Sequence, residues 1–184
     1  MIATEVYKVI KATVGPWLKE NGFKVVKQSW PVYQKPVGDE FITIKFRINR
    51  GWDKYKGATF NVWFKHSREK IVDDGSHYDL IRQLSLPERE FIRARQNRIL
   101  EALGPPPVDY VSQIVDSFQR TFRDPQLMIA TFLQDWQPHT EPYSPNSQVS
   151  LRYTCPEDVR AWSLLMLNHI RVRLEKSLAE TQEK

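Results

Sequence analysis

The residues richest in chemistry lie on two strand-like runs, Phe41–Asn49 and Ala58–His66. Side chains alternate between faces along a strand. Ile42, Ile44, Phe46 and Ile48 therefore share one face, as do Ala58, Phe60, Val62 and Phe64, while the other face carries Phe41, Thr43, Lys45, Arg47 and Asn49 with Thr59, Asn61, Trp63 and Lys65. Cations for phosphates, amides for base edges and an indole for stacking are the groups that hold single-stranded nucleic acid, so Lys45, Arg47, Trp63 and Lys65 are candidate contacts. Antiparallel sheets with one solvated face carry the same residue types without a ligand, and the Gly-flanked aromatic pattern of ribonucleoprotein motifs is missing. A partner protein or the chain's own helices would suit that face equally.

The densest basic stretch is Arg82, Arg89, Arg93, Arg95 and Arg98. At 100° per residue Arg89 and Arg93 come close together, which makes them candidate phosphate contacts, whereas Arg95 and Arg98 turn to other sides. Glu88, Glu90 and Glu101 balance them, as on a solvated helix face.

Three catalytic arrangements come near without closing. His66, Asp73, Asp74, His77 and Asp79 offer nitrogen and oxygen ligands, but their spacing fits no zinc or calcium pattern, and Asp-Asp-Gly-Ser is also the composition of a polar turn. Asp39-Glu40 with Lys45 approaches a metal-dependent nuclease set, yet Thr43 stands where the second carboxylate is needed. Cys155 precedes a helix, whose N-terminus lowers a thiol pKa, but Glu157 opposes that; His169 falls on an apolar stripe beside Leu165 and Met166, where a satisfied core histidine is expected. No catalytic residue, metal or cofactor is assigned, and no phosphate-binding loop or dinucleotide fingerprint is present.

The elements that must position these groups follow from periodicity. Val6, Ile10, Val14, Trp17 and Leu18 predict an amphipathic helix over residues 4–20, kinked or broken at Gly15-Pro16 and stopped by Asn21-Gly22. Runs Phe23–Gln28, Trp30–Lys35, Phe41–Asn49 and Ala58–His66 read as an antiparallel meander of about four strands. Ser85-Leu86-Pro87-Glu88 is a capping box for a helix from Leu86 to Leu103, and Thr154-Cys155-Pro156-Glu157 repeats it before a long helix. Between them stand a helix carrying Val111, Ile114, Val115, Phe118 and Phe122, another from Asp124-Pro125 through Trp136, and a Pro-rich loop, Gln137–Ser147, expected to be exposed. Val149–Tyr153 is a candidate short strand.

A chain of 184 residues with 41% hydrophobic and 27% charged residues fits one α+β domain with an ample core. Residues 1–103 hold 19 Lys/Arg against 12 Asp/Glu, and residues 104–184 hold 8 against 10, so the basic excess belongs to the helix-and-sheet half. A charged N-terminus, a longest apolar run of only Leu164-Leu165-Met166-Leu167 and a single Cys155 predict a cytoplasmic protein with no membrane span.

The segment Val14–Phe23 (VGPWLKENGF), the Lys-rich strand through Tyr33, and the strands Phe41–Asn49 and Phe60–Phe64 resemble a bacterial family called domain of unknown function 4304. The resemblance covers the first third to half of the chain. It implies an α+β fold and a bacterial source, and it brings no catalytic residues. Function is therefore expected to be non-catalytic binding to a partner protein, with Trp52, Trp63 and Tyr143 as exposed aromatic anchors. The alternative is DNA or RNA binding through the basic sheet face, and a metal-dependent hydrolase is a remote third.

Overall fold

The computed structural model describes residues 3–26, 31–48, 55, 57–68, 78–79, 84–143 and 150–182. Helix α1 (Ala3–Glu20) buries Val6, Ile10, Val14 and Leu18, an i, i+4 stripe. The expected break at Gly15-Pro16 does not occur. Proline removes the amide donor for the Ala12 carbonyl, but Ala12 and Pro16 are both exposed, on the side where water can replace it. The helix ends where the Asn21 amide and backbone both donate to the Trp17 carbonyl.

Strands β1 (Lys24–Val26), β2 (Val32–Val37), β3 (Glu40–Ile48) and β4 (Ala58–Ser67) form the antiparallel meander in that order. The sheet is larger than the four strands expected. Two short strands, β5 (Tyr78–Asp79) and β6 (Leu151–Tyr153), share the far edge of β4, at Trp63-Phe64 and at Ala58–Phe60 respectively. Gly57 lets β6 come that close: it has φ +73°, and a Cβ there would lie 2.4 Å from the Tyr153 carbonyl oxygen.

Helix α2 (Leu86–Leu103) has the predicted bounds, with the Glu88 carboxylate accepting from the Ser85 amide at 2.9 Å. Helices α3 (Val108–Thr121) and α4 (Pro125–Gln134) form a hairpin, and α5 (Pro156–Gln182) closes the described chain. α1 and α5 pack together, and their stripes join the inner sheet residues Ile42, Ile44, Phe46, Phe60, Val62 and Phe64 in one core. Trp162 of α5 is fully buried; its ring meets Phe91 edge-on at 6.3 Å and its indole N–H donates to the Arg152 carbonyl at 2.6 Å. One side chain thus ties α2, β6 and α5 together. No helix among the described residues is long and apolar enough to cross a membrane.

The capping device of α5 is shifted by one residue from its expected place. Asp158, not Glu157, accepts from the Thr154 amide and hydroxyl at 3.0 Å each and from the Cys155 thiol at 3.4 Å. Pro156 occupies the first helical position, which places the third, box-closing position at 158. Arg95 of α2 then reaches Asp158 at 3.0 Å and lays its guanidinium 5.5 Å from the Trp162 ring centre.

Candidate functional site

The outer sheet face is drier than its pattern implied. Gln34, Thr43 and Lys45 are buried there, and the Gln34 amide donates to the Thr43 hydroxyl at 3.1 Å. The Trp63 ring has the Lys45 ammonium 5.5 Å and the Arg47 guanidinium 5.3 Å from its centre. Arg47 is exposed, while Trp63 and Lys65 are half-buried. The structure therefore gathers Lys45, Arg47 and Trp63 into one cation–π cluster, in which the ring is already engaged and Lys45 has little contact with solvent. A mixed wet surface becomes a local basic spot around Arg47. Trp52 lies outside the described residues.

Arg89 and Arg93, half-buried on α2, are each engaged with a backbone carbonyl. The Arg89 guanidinium donates to the Leu84 carbonyl at 3.3 Å and that of Arg93 to the Thr140 carbonyl. Arg93 is part of a larger attachment of the Pro-rich loop, which is exposed as expected at 137, 138, 140 and 141 but is tied to α2 by hydrogen bonds. Asn97 clamps His139 by both backbone groups, its amide donating to the carbonyl and its oxygen accepting from the N–H, each at 2.9 Å. Gln96 donates to the Tyr143 hydroxyl at 2.8 Å and accepts from the Arg152 amide at 2.9 Å. Residues 137–143 are thereby held on α2, so Tyr143 is a half-buried strut and not an exposed anchor. Burial pushes its hydroxyl up to about 12. Burial, with Arg152 nearby, likewise lowers the His139 pKa and keeps that ring neutral. Residues 144–149 lie outside the described chain.

Where their side chains are described, the residues of the catalytic near-misses are engaged in structural contacts. Glu40 and Lys45 are an odd number of residues apart on β3 and so point to opposite faces; Glu40 instead meets His66 at 2.9 Å. That contact also engages the one metal-ligand candidate with a described side chain, since Asp73, Asp74 and His77 lie outside the described residues and Asp79 is described by its backbone alone. Among the described residues no three His, Cys, Asp or Glu side chains gather as a metal site.

His169 pairs with Glu88 at 2.8 Å, and Glu88 also takes the Ser85 hydroxyl at 2.5 Å. In a hydrolytic triad the imidazole stands between serine and acid to take the serine proton. Here the carboxylate stands between the other two. Burial works against its charge, but hydrogen bonds from Ser85 and the neighbouring His169 hold its pKa below the usual range, making it a poor base. The set is a clasp between α2 and α5. Cys155 is no better as a nucleophile: burial and its acidic neighbours raise its pKa, so the thiol stays protonated.

Asp158 supplies a direct test of the α5 cap. Burial opposes its charge, yet the Thr154 amide and hydroxyl, the Cys155 thiol and Arg95 together lower its pKa. A carboxylate whose folded pKa is lowered contributes stability above its unfolded value, about 3.9, and that contribution is lost as pH falls through the folded value. Asp158→Asn is expected to cost about 1–2 kcal/mol at pH 7 and to flatten the acid limb of stability against pH below about 4. Urea midpoints from pH 7 to 3 check this, and parallel curves for the two proteins would exclude the charged cap.

One surface was not singled out by the sequence. α3 places Val111, Ile114, Val115 and Phe118 on one side, yet none of its residues is buried. α4 covers that side incompletely, burying Phe132 alone while leaving Leu127 65% and Leu133 39% exposed. Tyr110, Phe118, Phe132 and Trp136 make an aromatic layer inside the hairpin with ring centres 6.0 to 6.5 Å apart. The sequence signal for this surface is that Pro125–Gln134 contains no charged residue.

A groove of about 500 Å³ runs between α1 and the start of α5, with Val9, Ala12, Thr13 and Leu164 in its lining. The Thr13 hydroxyl donates to the Val9 carbonyl at 2.8 Å, so it is not poised as a nucleophile. No protein-family model matches the chain, and no curated protein or solved structure matches it.

Proposed function

We propose that this chain is a non-catalytic binding protein that engages another protein through the α3–α4 hairpin. The observation that carries the reading is the exposed, uncharged side of α4 joined to an amphipathic α3 that buries no residue of its own. An element apolar on more than one side gains free energy when a further surface covers it, at roughly 25 cal/mol per Å² of apolar area removed from water. The likeness to the domain of unknown function 4304 family belongs to the same proposal and adds no residue roles to it.

Capture tests the reading. Immobilised wild-type protein should retain a specific partner protein at physiological salt, and Leu127→Glu should weaken retention by about tenfold or more. Equal retention by the two proteins would remove the hairpin from consideration.

The alternative, nucleic-acid binding, draws on the Lys45, Arg47 and Trp63 cluster with the exposed Arg47 as its outward cation. Oligonucleotide affinity that collapses between roughly 50 and 200 mM salt, and is weakened by Arg47→Ala, would favour it over the protein partner.

A further inference from the structure

We propose that Asn21-Gly22 is a site of self-modification, at which the chain converts Asn21 to aspartate or isoaspartate when the last turn of α1 opens. The site is independent of the α3–α4 hairpin. Of the six asparagines only Asn21 precedes glycine; Asn49, Asn61, Asn97, Asn146 and Asn168 are followed by Arg, Val, Arg, Ser and His. A glycine nitrogen has no Cβ beside it to shield it, so it is the backbone nitrogen best able to reach the side chain before it.

The reaction needs only water. The Gly22 nitrogen gives its proton to solvent base and bonds to Cγ of Asn21, while Nδ2 takes up a proton and leaves as ammonia. Water then opens the cyclic imide at either carbonyl, giving aspartate or a backbone rerouted through the side chain. Nothing is oxidised or reduced.

The folded chain holds both reacting nitrogens. The Gly22 N–H donates to the Lys19 carbonyl at 3.0 Å and the Phe23 N–H to the Leu18 carbonyl at 2.9 Å, the paired bonds that close a helix on a left-handed glycine, here with φ +82°. The departing Nδ2 donates to the Trp17 carbonyl at 2.9 Å. Attack therefore requires the Gly22 and Nδ2 bonds to break together, and the buried Leu18 and Phe23 anchor the turn against that opening. The product cannot close again in the same way. A carboxylate has no proton for the Trp17 carbonyl and meets the negative end of the α1 dipole. In isoaspartate the added backbone atom also moves the Gly22 and Phe23 amides off their acceptors. Because β1 begins at Lys24, the change loosens the junction between helix and sheet edge. The pair is a one-way record of how often that junction opens.

Mass spectrometry of the peptide spanning Asn21, from full-length protein aged in mildly alkaline buffer with and without unfolding urea, tests the proposal. Product should accumulate in urea, and at least about tenfold more slowly in the folded protein. The aged folded protein, separated by its added negative charge, should lose hydrogen-exchange protection at Gly22 and Phe23, and Asn21→Asp should show the same loss. No product in urea would overturn the site. Equal rates with and without urea would overturn its control by α1. Unchanged exchange at Gly22 and Phe23 in the aged protein would overturn its effect on the junction.

Discussion

Replacing Trp162 by alanine should lower the free energy of unfolding by about 4 kcal/mol, the largest single-residue effect expected in this chain. The side chain is fully buried, so its removal combines lost apolar transfer with a cavity where α2, β6 and α5 meet. It also leaves the Arg152 carbonyl without the indole donor and strips the Arg95 guanidinium of its aromatic surface. Trp162→Phe separates these contributions. It keeps most of the ring volume and should cost about 1–2 kcal/mol, chiefly the hydrogen bond. Urea unfolding with matched m-values is the measurement. An alanine variant within about 1 kcal/mol of wild type would show that these three elements are not joined through Trp162.

Gly57→Ala should cost about 3 kcal/mol, although it adds a single methyl group. Two penalties coincide. The backbone there has φ +73°, disfavoured for any residue with a Cβ, and the new atom would sit 2.4 Å from the Tyr153 carbonyl oxygen. Relief requires β6 to withdraw from β4, and that loosens the strand from which Arg152 accepts the Trp162 hydrogen bond. Gly38→Ala is the control. Gly38 also has positive φ, +59°, but nothing lies within 4 Å of its added Cβ, so about 1 kcal/mol is expected. Equal losses at the two sites would show that backbone conformation alone matters and that the β4–β6 approach is not close.

Periodicity made the regular elements legible. The i, i+4 stripe of α1, the alternation in β3 and β4, and the Ser85–Glu88 box each depend on residues near one another in the chain, and each appears in the structure. The departures arise where a distant partner decides. Asp158 caps α5 because Arg95, 63 residues away, holds it as Pro156 sets the helix start. The loop at 137–143 is pinned because Asn97 and Gln96 present amides across 42 and 47 residues. Lys45, placed on a wet face by alternation, is buried beside Trp63, its directly paired neighbour on β4.

The candidate site shows the same division. Alternation put Lys45, Arg47 and Trp63 on one face, and the structure confirms that placement while showing the ring already engaged by the two cations. Helical spacing revealed an apolar stripe on α3 but not how much of it would be covered, because coverage depends on where a second element packs.

The sequence by itself determined that this is an α+β chain with an N-terminal helix, a meander and a largely helical second half, because local patterns of burial and capping specify each element. Only the tertiary structure decided which faces remain open. It tied the Pro-rich segment onto α2 and engaged Trp63 with its own cations, and it left the α3–α4 hairpin partly uncovered. The physical reason is that burial is a property of pairs of elements, so a single element's pattern states which side seeks cover without stating what provides it.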